Sequence, residues 1–233
     1  MMLKITLLLT ILSVAYSTVA SQNRKAVNPK RFELLSGIRN PKKDEKVYWD
    51  KKYSNTQYLF GKRPAEFLAK NFQYIPEGAR VLDLGMGEGR NAVFLARKGY
   101  KVTGVDISSV AVKKSKMLAR EFGVRIDTLI ADLEKHDFKK GQFDAVICFY
   151  YVDKKLHDRM LGWLKPGGVL IYEAHTYNQR NVSGNEQYNT KYLLQPGELL
   201  KLFPEMDILK YEEPLHRKEY TTSIILKKPT TKL

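Results

Sequence analysis

The sequence predicts an α/β fold built on a mostly parallel sheet, and two observations predict it. Short apolar runs rich in β-branched residues alternate with segments of helical period, which is typical of parallel strands joined by helices. One run leads directly into alternating glycines, VLDLGMGEGRN at residues 81–91. Glycines at the carboxyl end of a strand let the backbone approach a ligand more closely than side chains allow. The sequence therefore predicts a nucleotide-type site after the first strand.

The predicted strands are short apolar runs, and the predicted helices lie between them. The run FDAVICF at 143–149 is apolar almost throughout, which is typical of a central parallel strand buried on both faces. Ser108 or Ser109 can cap a helix at 110–122, and Gly123 ends it. Further strands are predicted at 81–84, 101–106, 125–131, 169–173, 207–213 and 220–228, and further helices at 64–72, 92–96, 153–164 and 198–203.

The chain is long enough to bury one sizeable core. It has 233 residues, of which 43% are hydrophobic, and one domain over residues 47–229 is the simplest interpretation. Its single cysteine, Cys148, cannot form an internal disulfide and lies within the apolar run 143–149. We therefore expect Cys148 to be a small, buried strand residue rather than a reactive thiol.

The first 46 residues differ in composition from the rest of the chain. Lys4 precedes an apolar run at 5–15, and residues 18–20 are the small or short side chains that precede a signal-peptidase site. Residues 1–20 are therefore predicted to be an export signal, which would make the mature protein periplasmic or secreted. The alternative is a short anchor that keeps a cytoplasmic protein close to the membrane, since basic residues follow it. Residues 21–46 are predicted to form a basic linker.

The formal net charge of +15 raises the question of a nucleic-acid partner. Part of this charge lies in the N-terminal segment, and the rest is scattered over predicted helix surfaces. No recognition motif, Arg-rich aromatic repeat or zinc-ligand spacing accompanies it. The sequence therefore favours a small-molecule partner over nucleic acid, and it gives no indication of an oligomeric state.

The residues around the glycines exclude two familiar glycine loops. A phosphate-binding P-loop requires Lys and then Ser or Thr after its last glycine, where Arg90 and Asn91 stand. The dinucleotide-binding fingerprint requires a glycine at position 90. An acidic-x-Gly-x-Gly-x-Gly pattern fits instead, and Asp106 ends the next strand about twenty residues after the first glycine. The pattern consists of Asp83, Gly85, Gly87 and Gly89.

This pattern resembles that of the class I S-adenosylmethionine-dependent methyltransferases. The resemblance implies a Rossmann-like, doubly wound sheet of seven strands, mostly parallel, with an antiparallel C-terminal hairpin. It implies S-adenosyl-L-methionine as the cofactor, with Asp106 on the ribose hydroxyls, Asp132 on the adenine amino group and no metal. The implied cofactor contacts are Asp83, Gly85, Gly87, Gly89, Asp106, Ile107, Asp132, Leu133 and Cys148.

Two further stretches carry the same resemblance. LKPGG at 164–168 matches the methyltransferase turn that precedes the fifth strand. WDKKY at 49–53 and YLFGKRP at 58–64 resemble the tellurite-resistance and thiopurine-type branch, which implies a thiol or chalcogen oxyanion as acceptor. The aromatic residues of this region either pack against the core or form a lid whose rings attract the sulfonium cation.

Residues beyond the fifth predicted strand are candidates for acceptor binding. The polar segment 176–190 has neither helical nor strand period and follows the carboxyl end of that strand. The loop 214–219, which contains His216 and Arg217, can fold back toward the same edge.

Three histidines have different predicted roles. His175 lies just beyond a strand end, two residues after Glu173, and is the candidate general base, although a structural role is the alternative. His157 is predicted on the surface of a helix, and His136 has no second ligand at metal-binding spacing.

The sequence therefore predicts a methyltransferase that acts on a small molecule. One alternative is a protein that binds S-adenosylmethionine or a nucleoside without turnover. The other is a methyltransferase of a macromolecule, which would use the basic linker.

Overall fold

The computed structural model describes residues 45–182, 184–186, 188–214 and 219–230. The predicted export signal at 1–20, most of the predicted linker at 21–46, and His216 and Arg217 lie outside the described residues. Of the linker, Glu45 and Lys46 are described, and both belong to the first helix.

One sheet contains all seven predicted strands. They are β1 (Arg80–Leu84), β2 (Lys101–Asp106), β3 (Asp127–Ile130), β4 (Phe143–Phe149), β5 (Leu164–His175), β6 (Asp207–Glu212) and β7 (Thr221–Lys227). Their order in the sheet is β3-β2-β1-β4-β5-β7-β6. Neighbours among β1 to β5 are parallel, whereas β7 is antiparallel to both β5 and β6. The predicted mostly parallel sheet with an antiparallel C-terminal hairpin is confirmed.

Five α-helices connect or precede these strands in the described part of the chain. They are α1 (Glu45–Tyr53), α2 (Glu66–Asn71), α3 (Arg90–Arg97), α4 (Ser109–Glu121) and α5 (His157–Trp163). Ser108 caps α4 as predicted, because its hydroxyl accepts a hydrogen bond from the amide of Ala111 at 3.1 Å. No helix among the residues described is both long and apolar enough to cross a membrane.

Alternate residues of β4 point to opposite faces of the sheet and enter different apolar clusters. Val146 and Cys148 pack in the cluster that contains Trp163 of α5. Ala145 and Ile147 pack in the cluster on the other side, with residues of α2 and α3. A strand covered on both faces has to be apolar throughout, which explains the continuous apolar run in the sequence. Cys148 is buried, as predicted.

Two predicted elements differ from the structure. The predicted helix at 198–203 is a series of turns, in which the Glu198 carboxylate accepts a hydrogen bond from the amide of Gln195. Leu199 and Phe203 are buried, whereas Leu200 is exposed, and six residues are too few to offset the cost of helix nucleation. The predicted turn at 164–168 is part of β5, where the register against β4 shifts and the chain bulges.

The prediction for His157 is wrong. This residue begins α5 and is buried, with its ring centroid 5.0 Å from that of Phe203 and 6.1 Å from that of Tyr172. Burial lowers the pKa of the imidazole, so the neutral form is favoured in the core.

Gly89, the last glycine of the glycine loop, precedes α3 and packs closely against α4. Its φ of +85° is in the left-handed region, and a Cβ at this position would lie 2.6 Å from the Cβ of Ser115. Gly99 has a similar φ of +90°, but a Cβ there would meet no atom within 4 Å. The two positions therefore share backbone strain and differ in packing.

We predict that Gly89→Ala lowers the free energy of unfolding by about 2–4 kcal/mol, because left-handed strain and overpacking add together. Gly99→Ala is the matched control and should lower it by about 1–2 kcal/mol, from strain alone. Urea denaturation of both variants measures the difference. Equal losses would show that the contact with Ser115 does not restrict position 89.

Candidate active site

A cavity lies at the carboxyl ends of the parallel strands, where the loops after β1, β2, β3 and β4 meet. The glycine loop and the end of β2 form one wall, and Tyr150, Tyr151 and His175 form another at the ends of β4 and β5. Residues of α1 and of the segment 188–192 complete the wall. Parallel α/β sheets bind their ligands at this edge, so the cavity is the candidate active site.

Asp83 is a buried carboxylate with incomplete hydrogen bonding. Its side chain lines the cavity, its residue is 1% exposed, and its Oδ2 has no hydrogen-bond partner among the described residues. Burial, with the nearby charge of Asp106, raises the pKa of Asp83 to about 8. A buried acceptor in this state favours a ligand that brings a positive charge or a hydrogen-bond donor.

Asp106 ends β2 and also lines the cavity. Its Oδ2 accepts a hydrogen bond from the amide of Gly87 and its Oδ1 accepts one from the amide of Ser108, each at 2.8 Å. Burial raises its pKa to about 6, although these two bonds oppose the shift. The amide of Ile107 is also hydrogen-bonded to this carboxylate. A carboxylate has about four acceptor positions, so Asp106 can still accept a hydrogen bond from a ligand hydroxyl.

The remaining predicted cofactor contacts divide into two groups. Five of them line the cavity, where a bound cofactor could contact them: Gly85, Gly87, Ile107, Asp132 and Leu133.

Gly89 and Cys148 are not among the residues that line the cavity, and their assignment as cofactor contacts stays a prediction. Gly89 lies between α3 and α4, as described above. Cys148 points into the core, where its thiol donates a hydrogen bond to the carbonyl of Tyr151 at 3.2 Å.

Helix α1 brings aromatic side chains to the cavity. The rings of Trp49 and Tyr53 stack with centroids 5.6 Å apart, and both residues line the cavity with Phe60. The Tyr53 hydroxyl lies 2.9 Å from the place that a Cβ would occupy at Gly87, so only glycine permits this contact. The aromatic region therefore forms part of the cavity wall and also packs against the glycine loop.

Asp50 fixes α1 to the start of α4. Its Oδ1 accepts hydrogen bonds from the Ser108 hydroxyl at 2.6 Å and from the amide of Val110 at 3.2 Å. Burial alone would raise its pKa, but hydrogen bonds from Lys46 and Ser108 hold the pKa at about 2. Asp50 thus remains ionised at neutral pH and supplements the cap of α4.

A buried ion pair fixes the segment that follows α1. Glu88 of the glycine loop pairs with Lys114 of α4, and their side chains are 3% and 11% exposed. The Lys114 ammonium also donates to the carbonyls of Asn55 and Gln57 at 2.8 Å. The Glu88 carboxylate accepts a hydrogen bond from the amide of Leu59. These contacts tie the aromatic segment to the loop that it covers.

The ends of β4 and β5 carry a cluster of ionisable groups. His175 is the last residue of β5, and its ring centroid lies 4.8 Å from that of Tyr150 and 5.5 Å from that of Tyr188. Its Nε2 lies 3.8 Å from the carboxylate of Glu219. His175 therefore lies in the cavity wall beside two tyrosine rings and a carboxylate.

Tyr150 follows β4 and has a φ of 60°, the one positive φ outside glycine in the described part of the chain. Its amide donates to the Glu173 carbonyl at 2.8 Å, and its hydroxyl is hydrogen-bonded to the buried Glu173 carboxylate. The Arg90 guanidinium lies 5.6 Å from the centroid of the Tyr150 ring. Strained backbone conformations cluster at functional sites.

Comparisons with known proteins agree with this geometry. Residues 81–168 match the family model described as a methyltransferase domain. A ubiquinone biosynthesis O-methyltransferase from Erwinia tasmaniensis is 29% identical over 147 residues, which cover 55% of this chain and 60% of that protein. The chain thus spans about three fifths of the length of this curated relative.

The fold is shared with solved methyltransferase structures. An S-adenosylmethionine-dependent methyltransferase from Methanosarcina mazei aligns with a TM-score of 0.59 at 20% identity, covering 72% of this chain and 100% of that chain. Residues 81–168 thus match a methyltransferase domain, and the described chain shares the fold of solved methyltransferases. TehB from Haemophilus influenzae aligns with a TM-score of 0.60 at 19% identity, covering 79% of this chain and 67% of that chain. The methyltransferase family and fold imply S-adenosyl-L-methionine as the cofactor.

The residues of the methyltransferase domain fit this cofactor. Its amino-acid end carries an ammonium, which suits the unpartnered Oδ2 of Asp83. Its ribose carries two hydroxyls, which suit the free acceptor capacity of Asp106. Ile107 and Leu133 provide apolar surface for the adenine ring.

Sequence reasoning missed several residues of the site. Glu88, Lys114 and Asp50 join segments that are far apart in the chain, and no local pattern indicates such a pairing. Tyr188 lies in the polar segment 176–190, and Tyr192 lies just after it. Both residues line the cavity. The signal that was available for them is the density of tyrosines between two predicted strands.

We predict that the affinity for S-adenosylhomocysteine, which retains the ammonium, rises with pH up to about 8. Asp83 holds its proton below that pH, so binding at pH 6 must first remove the proton, at a loss of up to about tenfold in affinity per pH unit. Calorimetry between pH 5.5 and 8 measures the slope. Asp83→Asn should bind more weakly and lose most of the slope, whereas an unchanged slope would remove Asp83 from the ammonium site.

We also predict that Asp106→Ala weakens binding of S-adenosylhomocysteine by about 1–3 kcal/mol, because hydrogen bonds to a charged acceptor are lost. Asp158 lies in the first turn of α5 and is not among the residues that line the cavity, so Asp158→Ala is a matched control. Equal affinities of Asp106→Ala and the unaltered protein would exclude Asp106 from ribose binding.

Proposed function

We propose that the protein is an S-adenosylmethionine-dependent methyltransferase that acts on a small molecule. The observation that supports this most strongly is the position of the two buried acids, Asp83 and Asp106, on either side of the glycine loop in one cavity. Oδ2 of Asp83 has no hydrogen-bond partner among the described residues. The carboxylate of Asp106 accepts backbone hydrogen bonds and retains capacity for a ligand hydroxyl.

S-adenosylmethionine, when bound, supplies a methyl group attached to a positively charged sulfonium. The chain's own residues would position the ligand and exclude water: Asp83 and Asp106 hold its polar ends, and Trp49 and Tyr53 shield it from solvent. Good alignment of two reactants can supply roughly 7–11 kcal/mol of a barrier, so these roles suffice for a large rate enhancement. His175 is the group in the wall suited to receive a proton from the acceptor.

The cavity extends from the cofactor residues toward the ends of β4 and β5, where Tyr150, Tyr188 and His175 lie. A protein that only binds the cofactor needs no such extension, which favours turnover over the non-catalytic alternative. The curated relative is named as a ubiquinone biosynthesis O-methyltransferase, which is compatible with a small-molecule acceptor. A thiol or chalcogen oxyanion acceptor remains a prediction from the sequence.

We predict that the purified protein forms S-adenosylhomocysteine when incubated with S-adenosylmethionine and at least one member of an acceptor panel. The panel contains thiols, selenite, tellurite, phenols and amines, and chromatography quantifies the product. Asp106→Ala should reduce the rate at subsaturating cofactor by about the factor by which it weakens binding. Tight binding of S-adenosylhomocysteine together with no turnover on any acceptor would favour the non-catalytic alternative.

Methylation of a macromolecule makes a separate prediction about the basic linker. If the linker presents the enzyme to a charged polymer, deletion of residues 21–44 reduces the rate. An unchanged rate on small acceptors after this deletion supports the small-molecule proposal.

A further inference from the structure

The end of the cavity at β4 and β5 is surrounded by carboxylates. Glu45 at the start of α1 and Glu134 after β3 also line the cavity. Both are close enough to Tyr151, which follows β4, and to Tyr192 for their charges to raise the pKa of these tyrosines. Glu219 lies 3.8 Å from the imidazole of His175, and Glu173 is hydrogen-bonded to Tyr150. We call this region the acceptor end; its lining residues include Glu45, Glu134, Tyr150, Tyr151, His175 and Tyr192.

The carboxylates of the acceptor end act on its tyrosines. Burial raises the pKa of Tyr192, and the charges of Glu45 and Glu134 raise it further. Burial likewise raises the pKa of Tyr150, and Glu173 and Glu219 add to the shift. Burial opposes a charge of either sign, whereas the carboxylates oppose only a negative charge, so an anion placed there is disfavoured beyond the cost of burial.

Among the residues that the structure describes, the cations near the acceptor end do not balance these charges. The Lys191 ammonium pairs with Glu45 at 2.7 Å and is not among the residues that line the cavity. The Arg90 guanidinium lies 5.6 Å from the Tyr150 ring and also lowers the pKa of Asp83. Among the described lining residues, Arg90 is the one Lys or Arg side chain. The acceptor end is thus negative within a chain whose formal charge is +15.

A negative site distinguishes between nucleophiles by charge. The free energy of an oxyanion or thiolate rises when it enters such a site. Its reaction with a cation also removes the positive charge that the site stabilises. A neutral nitrogen enters without this cost. Its lone pair forms the new bond to the methyl carbon as the carbon–sulfur bond breaks and that electron pair passes to sulfur. The positive charge moves to nitrogen and stays in the negative site.

We propose that the acceptor is a flat molecule with a neutral nitrogen nucleophile, an aromatic amine or a nitrogen heterocycle, whose methylated product is a cation. This inference rests on the proposed methyltransferase function, and it replaces the thiol or chalcogen oxyanion that the sequence predicts as acceptor. The rings of Tyr150 and Tyr188 both pack against His175 in the cavity wall. Such rings suit a flat cation, because ring faces attract positive charge. Where the product nitrogen carries a hydrogen, His175 is placed to take that proton after transfer.

Calorimetry with three probes of similar shape tests the charge preference directly. The probes are phenyltrimethylammonium, its neutral isostere tert-butylbenzene, and benzenesulfonate, each titrated into the full chain saturated with S-adenosylhomocysteine. We expect the cation to bind at least about tenfold more tightly than the neutral isostere, and the sulfonate to bind most weakly. The same titrations without S-adenosylhomocysteine test the charge of the cavity independently of the proposed function.

Two charge variants provide the control. Glu45→Gln combined with Glu134→Gln should reduce the preference for the cation over the sulfonate by about tenfold. Glu121→Gln removes the same type of charge from an exposed pair with Lys62 and should leave the preference unchanged. In turnover assays the double variant should slow quinoline methylation and accelerate thiophenol methylation, a pair of opposite shifts that partial unfolding would not produce.

Sulfonate binding as tight as that of the cation would overturn the inference, and so would a preference that the double variant leaves intact. If S-adenosylhomocysteine still binds in either case, the methyltransferase proposal stands. Absence of S-adenosylhomocysteine binding in a protein that retains its secondary structure by circular dichroism would instead overturn the methyltransferase proposal.

Discussion

Two carboxylates buried at the ends of adjacent strands constrain the whole site. Asp83 and Asp106 are 1% and 7% exposed, and each raises the free energy of the folded protein when it is ionised without a partner. The glycine loop between them supplies the Gly87 amide to Asp106 and leaves Oδ2 of Asp83 without a partner in the described chain. A ligand with an ammonium and two hydroxyls satisfies both acids. The two acids therefore lower the stability of the free protein and raise its affinity for such a ligand.

The elements around the acids hold this arrangement in place. Asp50 joins α1 to the start of α4, and the pair of Glu88 with Lys114 joins the aromatic segment to the glycine loop. Breaking a buried ion pair leaves an uncompensated charge, so the second contact is the more costly one to lose. The wall that shields the cavity is thus attached to the same loop that binds the ligand, and a change in one is transmitted to the other.

The sequence predicted those parts of the molecule that local patterns determine. All seven strands, the cap at Ser108 and the acid at the end of β2 follow from apolar runs, capping residues and spacing. The predicted helix at 198–203 failed because its length was marginal, and the burial of His157 depends on packing against Phe203, which is distant in the chain. The charge of the acceptor end was equally invisible, since Glu45 and Glu219 come from opposite ends of the described chain.

The central claim is that a cationic ligand neutralises the buried acid at the end of β1. Carbon-13 NMR of aspartate-labelled protein, assigned with Asp83→Asn, measures this acid directly. Asp83 should titrate near a pKa of about 8 in the free protein. Saturation with S-adenosylhomocysteine should lower that pKa by roughly 1–3 units, because an opposite charge then lies beside the carboxylate. A pKa that is unchanged by saturating ligand would contradict the claim.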